Sequence, residues 1–215
     1  MQYFSTLPKI VSYDPSGNKI AAVNLLVRSS VIPSLLDNPA LYYEYDIQEG
    51  DTPEIIASKY YNDPYRYWMV LFANQLLDPQ WDWPLTYSQF EAYLNDKYAS
   101  VAANNSMEPL AYTQATVYEY RKVISTTDST TQNTTTDIYV VDQATYNNVI
   151  VNTETVAFTP TRWNNNAEVT ISTDKNTLSI YDWEQEQNEK KRTIRLLNAN
   201  YVGDFEQQFS YLVNK

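Results

Sequence analysis

YDIQEGDTPEIIASKYYNDPYRYWMVLFAN, Tyr45 to Asn74, holds the sharpest run of strand, turn and helix signals in the chain. At its start Tyr43, Tyr45 and Ile47 alternate with Glu44, Asp46 and Gln48, the pattern of a strand with one wet face. Glu49-Gly50 ends that strand. Asp51 and Glu54 have the spacing of a capping box, and Pro53 sits in the first helical turn, where its missing N–H costs nothing. Ile55, Ile56, Lys59 and Tyr60 then fall on one helical side. Pro64 stops this helix at Asn62-Asp63 and opens the next, with Asp63 as its cap. In the second helix Tyr67, Trp68, Leu71 and Phe72 recur at helical spacing and form a broad apolar face.

Downstream, Leu76 to Leu85 is a loop with two tryptophans, Trp81 and Trp83, stiffened by Pro79 and Pro84. Thr86 and Gln89 offer a further capping box, and Phe90, Tyr93, Leu94 and Tyr98 line a third helix. Residues 43–100 are expected to form a compact module by themselves. Before it, residues 1–42 read as an extended arm with local structure. Asp14-Pro15-Ser16-Gly17-Asn18 is a turn signal. IAAVNLLV, Ile20 to Val27, fits a buried strand or a helical turn, and Pro33 and Pro39 bracket a short piece.

Beyond the module, Tyr112 to Ile124 has a strand composition, and the Thr-rich run Ser125 to Asp137 is expected as a long exposed hairpin loop. Ile138–Val141, Thr155–Phe158, Val169–Ser172 and Thr177–Tyr181 are further short strands, so 101–181 should hold a small antiparallel sheet. The tail, 182–215, opens with DWEQEQNEKKR, acidic early and basic late, as a solvated helix matched to its own dipole. Thr193 to Leu197 alternates. In the last helix Val202, Phe205, Phe209 and Leu212 make one face, which has to pack back on the body or onto a partner. Its aromatic content points to a protein partner. The fold class is α+β: a strand-helix-helix module, an extended N-terminal arm, a small antiparallel β-segment and a C-terminal helical tail.

The 215 residues hold twenty tyrosines and three glycines, with no cysteine or histidine. That removes disulfides, thiolate metal sites, the commonest general base and histidine-zinc chemistry. A net charge of −11 opposes binding to a nucleic-acid backbone or an anionic membrane. No run is apolar enough for a membrane span, and the start lacks the basic and apolar regions of a secretory signal. Glu44, Asp46, Glu49 and Asp51 are the nearest approach to paired catalytic carboxylates, and caps and a solvated strand edge account for all four. Asp137 and Asp142 stand isolated, and no acidic loop has calcium-binding spacing. The expectation is a non-enzyme without cofactor or metal.

The Tyr45–Asn74 stretch, with its Gly50-Asp51-Thr52 turn, Ile55-Ile56-Ala57 and closing Asn74, resembles a LysM motif. With LPKIVSY near the start, Arg28, DWPLT, Lys97-Tyr98 and the tail WEQEQNEKKRTIRLLNANYVGDFEQQF, the chain resembles the LysM-containing baseplate wedge proteins of contractile-tailed, T-even-like bacteriophages. These motifs cover about half of the chain, and 101–181 carries none. The resemblance implies structural work in a six-fold baseplate within the virion, with other wedge subunits and the sheath-initiating subunit as partners. Arg28, Val202, Phe205 and Phe209 are the expected contact residues. It also raises an alternative, binding of peptidoglycan in the LysM groove between the strand-helix turn and the loop after the second helix, where Trp81 and Trp83 could stack on sugar rings. Against this stand the single module and the absence of a flexible tether, since cell-wall LysM proteins usually depend on linked repeats for avidity.

Overall fold

The computed structural model describes residues 3–27, 38–158 and 167–214. Arg28 and Pro33 lie outside them. In chain order the elements are α1 (Tyr3–Thr6), β1 (Lys9–Tyr13), β2 (Lys19–Val23), β3 (Tyr42–Asp46), α2 (Pro53–Tyr61), a 3-10 turn (Pro64–Arg66) and α3 (Tyr67–Ala73). There follow α4 (Pro79–Asp82), α5 (Tyr87–Asn104), α6 (Pro109–Ala115), β4 (Val117–Asp128), β5 (Thr134–Val141), α7 (Gln143–Asn148) and β6 (Asn152–Phe158). Last come β7 (Ala167–Ser179), α8 (Ile180–Glu189), β8 (Thr193–Leu197), a second 3-10 turn (Ala199–Tyr201) and α9 (Val202–Val213). Helices combine with small antiparallel sheets, as α+β requires. Among the described residues no helix is long and apolar enough to cross a membrane.

The chain forms two compact units, residues 1–87 with 188–215, and residues 88–187. This division crosses the expected segments. The third helix belongs to the second unit, and the tail is shared between the two.

In the first unit β3 pairs antiparallel with β8, Glu44 opposite Arg195, across about 150 residues of sequence. With α2 and α3 between them in the chain, the strands make a β-α-α-β unit interrupted before its last strand. Ile47, Ile56, Trp68, Met69 and Val70 bury their side chains against Ile194, Leu196, Val202 and Phe209. The arm is anchored here too. Leu7 belongs to this core, and the Tyr3 ring lies 5.6 Å from Trp68 and 5.7 Å from Phe209. Ile20 to Val23 falls in β2, which pairs with β1 around the predicted Asp14–Asn18 turn. There the Asp14 carboxylate accepts from the Ser16 and Asn18 N–H groups, and Gly17 takes φ +83°.

The α9 face is a correction. Val202 and Phe209 are buried in the chain's own core, and Phe205 packs against it, its ring stacked 6.0 Å from Trp68. Val202 and Phe209 are therefore occupied internally and do not form a partner surface, and Phe205 is partly buried on the same core. Leu212 does not continue the stripe: the i to i+4 step from Phe209 reaches Val213, which is buried, while Leu212 is 63% exposed.

The second unit carries a four-stranded antiparallel sheet of order β5-β4-β7-β6. The Thr-rich run is mostly strand, not loop. Threonine suits a pleated surface, and Ser125 with Thr136 and Thr127 with Thr134 hydrogen-bond across the ladder at 3.2 and 2.9 Å. The turn is confined to 129–133. Tyr112 to Thr116, expected in the strand, instead completes the helix that Pro109 opens at its first position. The two short strands expected at Val169–Ser172 and Thr177–Tyr181 are one strand, β7, followed directly by α8. Between α5 and α8 the buried Glu184 carboxylate accepts from Lys97 Nζ and Tyr98 Oη, each at 2.6 Å. On the sheet Arg121 bridges Glu119 and Glu186.

Candidate functional site

The strand-helix turn of the first unit brings together Gly50, Asp51, Thr52 and Trp83 of the residues singled out in the sequence. Gly50 makes the turn possible with φ +82°. A Cβ built there meets nothing within 4 Å, so the requirement for glycine is conformational and not steric crowding by neighbours. Gly50→Val is expected to cost about 1–3 kcal/mol, and Gly50→Asn less, because Asn tolerates positive φ. Thermal unfolding of the two variants checks the order.

Thr52, not Asp51, is the N-cap of α2. Its Oγ1 accepts from the Ile55 N–H at 3.3 Å, the cap-to-N3 reach. Asp51 sits one residue earlier and is only 7% exposed. Its carboxylate accepts from Lys59 Nζ at 2.6 Å, Tyr45 Oη at 2.7 Å and the Gln48 N–H at 3.2 Å. Its carbonyl accepts the Trp83 indole N–H at 2.9 Å. Strand, turn, helix and tryptophan loop thus meet at one acidic residue.

Burial pushes the Asp51 carboxyl up, but the hydrogen bonds from Lys59, Tyr45 and Gln48 outweigh it and hold the group below its ordinary value. The same contact stabilises the neutral Tyr45 phenol. Its hydrogen bond to Asp51, with burial and the carboxylate charge adding, pushes it up to about 12. The Asp51 contribution is therefore complete above the unfolded carboxyl pKa of roughly 4 and is lost as pH falls through the lower folded value. The Tyr45 contribution is complete below roughly 10 and is lost as pH rises towards 12. Asp51→Asn is expected to cost about 1–3 kcal/mol at neutral pH and to flatten both limbs. Urea unfolding across the pH range measures this.

Asn74 does more than end α3. Its Nδ2 donates to the Arg195 carbonyl and its Oδ1 accepts from the Arg195 N–H, both at 2.8 Å. The side-chain amide so occupies the edge of β8 that faces away from β3, in the manner of a short strand. Asn188, which sequence reasoning passed over, repeats the device. It accepts from the Leu85 N–H at 2.7 Å and donates to the Leu85 carbonyl at 3.0 Å. An isolated Asn in an acidic helix carries no signal for such a pairing, because the partner lies 103 residues away in sequence.

Next to the turn an open concavity of about 530 Å³ lies between the end of β3 and the approach to β8. Asp46, Gln48, Glu49, Glu189, Arg192 and Thr193 line it, with no aromatic ring. Arg192 spans it, paired with Glu189 at 2.8 Å and Glu49 at 3.4 Å and donating to the Ile47 carbonyl. Thr193 Oγ1 donates to Asp46 at 2.8 Å. Three of the four clustered carboxylates, Asp46, Glu49 and Asp51, are thus engaged by this chain's own groups. Trp83 is half-buried on the core with its N–H spent on Asp51, while Trp81 is 64% exposed and outside the lining. The tryptophans do not form a joint platform. Comparison of the chain with protein-family models and with curated proteins finds no match in either.

Proposed function

We propose that this chain is a structural subunit of a phage tail baseplate wedge, built on a LysM-like scaffold that binds protein. One observation carries the reading. Two of the stretches that bear the family resemblance, the Tyr45–Asn74 module and the NEKKRTIRLLNANYVGDF part of the tail, come from opposite halves of the chain, and they fold into one unit through the β3–β8 ladder and Asn74. The β-rich stretch with no such motif falls in the other unit, with Lys97-Tyr98 and the Trp183–Gln187 start of the tail at its borders. A fold that interleaves both signatures supports a single scaffold over a lone sugar-binding motif with unrelated flanks.

The chemistry of the turn supports the same choice. Beside the strand-helix turn, between the end of β3 and the approach to β8, lies a charged concavity without aromatic rings, and the Leu76–Leu85 tryptophan loop takes no part in its lining. A concavity with no aromatic ring in its lining offers no platform on which a sugar ring could stack, which weighs against the carbohydrate alternative. On this reading the subunit joins wedge-core and sheath-initiator proteins and neighbouring wedges in a six-fold virion assembly. It performs no catalysis and holds no cofactor.

The test is a tagged copy recovered from phage-infected bacteria. Co-purification with tail structural proteins is the expected result. Retention on purified peptidoglycan without tail proteins would replace the wedge reading by cell-wall binding, and turnover of labelled glycan would replace it by an enzyme.

A further inference from the structure

Among the described residues β5 is an edge strand of the second unit, hydrogen-bonded to β4 on one side. It contains no Lys, Pro or Gly, the usual devices that blunt an edge. Its consecutive residues Ile138, Tyr139 and Val140 are 55, 51 and 64% exposed. Side chains alternate across a strand, so both of its faces present apolar surface to solvent. Three exposed apolar residues in a row are unfavourable unless they are used. Asp137 and Asp142 flank the run like gatekeepers against uncontrolled pairing.

The ladder fixes which backbone groups are free. Asp128 donates its N–H to the Asn133 carbonyl at 3.0 Å, so this pair is a hydrogen-bonded one. Hydrogen-bonded pairs alternate along an antiparallel ladder, and the next are Thr126 with Thr135, Ile124 with Asp137 and Lys122 with Tyr139. The backbone groups of Thr134, Thr136, Ile138 and Val140 consequently point outward.

We propose that this edge pairs with β5 of a second copy of the chain, making one continuous eight-stranded sheet about a two-fold axis. Antiparallel partners must show the same face, so the axis has to pass through a residue. Two axes use nearly the whole strand. The one at Asp137 sets two carboxylates opposite each other, which is destabilising. The one at Ile138 sets Ile138 against itself, Asp137 against Tyr139 and Thr136 against Val140, with no like charges opposed. It also makes Ile138 a hydrogen-bonded pair with its own copy. The contact is isologous and closes at two copies, so it does not propagate into a fibre. This inference is independent of the baseplate reading.

The chain has no cysteine, so a single introduced thiol reports the register. In the proposed pair the two Ile138 Cα atoms are about 5.5 Å apart, within disulfide reach. The two Asp137 Cα atoms are offset by two residues to roughly 8 Å, beyond it. Mild oxidation of full-length Ile138→Cys is expected to give a covalent dimer, while Asp137→Cys and Asn133→Cys stay largely monomeric. Sedimentation of the unmodified chain should show concentration-dependent dimerisation. Ile138→Pro removes an outward N–H and should weaken it roughly tenfold or more with the melting temperature retained. A chain that stays monomeric at all concentrations overturns the proposal, as does equal cross-linking at all three thiol positions. If Ile138→Pro unfolds, Ile138→Lys, which keeps the backbone donor, serves in its place; a dimer undiminished by whichever folded variant is used also overturns it.

Discussion

Trp68→Ala is expected to lower the unfolding free energy by about 3–5 kcal/mol, the range for truncating a buried aromatic in a packed core. Trp68 is 4% exposed and lies at the crossing of three distant segments. Its ring stands 4.8 Å from Phe209 and 6.0 Å from Phe205 in α9, 5.6 Å from Tyr3 in α1, and 6.3 Å from Phe72 in its own helix. Removing it leaves a cavity lined by large, rigid rings, which collapse poorly. Urea unfolding followed by far-UV circular dichroism measures the effect, with Trp81→Ala as the control. That second tryptophan is largely exposed, and its loss should fall within about 0.5 kcal/mol. Phe205→Asp belongs to the same group. Its first effect is on this core, because Phe205 packs on Trp68 and Phe72.

The local elements of the first unit are legible because their signals are local. Alternation marks β3, Pro53 and Pro64 mark the helix starts, and positive φ at Gly50 marks the turn. The Asp51-Glu54 spacing misleads by one residue: Thr52 caps, and Asp51 instead collects donors from a strand and a helix that converge only in the folded chain. The partner of β3 could not be read at all. Thr193 to Leu197 is visible as an alternating segment, but nothing in five residues says which strand lies beside them. The same holds for Asn74 and Asn188, whose pairing depends on backbone groups more than 100 residues away. In the Thr-rich run the error is of another kind. Polarity suggests a loop, whereas β-branching and lateral hydroxyl bonds make a ladder.

Because the first unit is closed by residues from the end of the sequence, residues 43–100 cut out alone are expected not to fold. Among the described residues fourteen are buried in its core, and seven of these lie outside that fragment: Leu7, Ile194, Leu196, Leu197, Val202, Phe209 and Val213. Without β8 the fragment keeps one unpaired strand, and at under 60 residues it has little surface to bury in compensation. By contrast, residues 1–87 joined to 188–215 should fold cooperatively. The two cut ends already lie together, since Asn188 holds both backbone groups of Leu85, so a short Gly/Ser linker spans them. Circular dichroism and urea unfolding of the two polypeptides distinguish the cases. A cooperative transition in the 43–100 fragment would show that the strand-helix-helix stretch carries its own core, and that the β3–β8 ladder is an addition to a domain already complete.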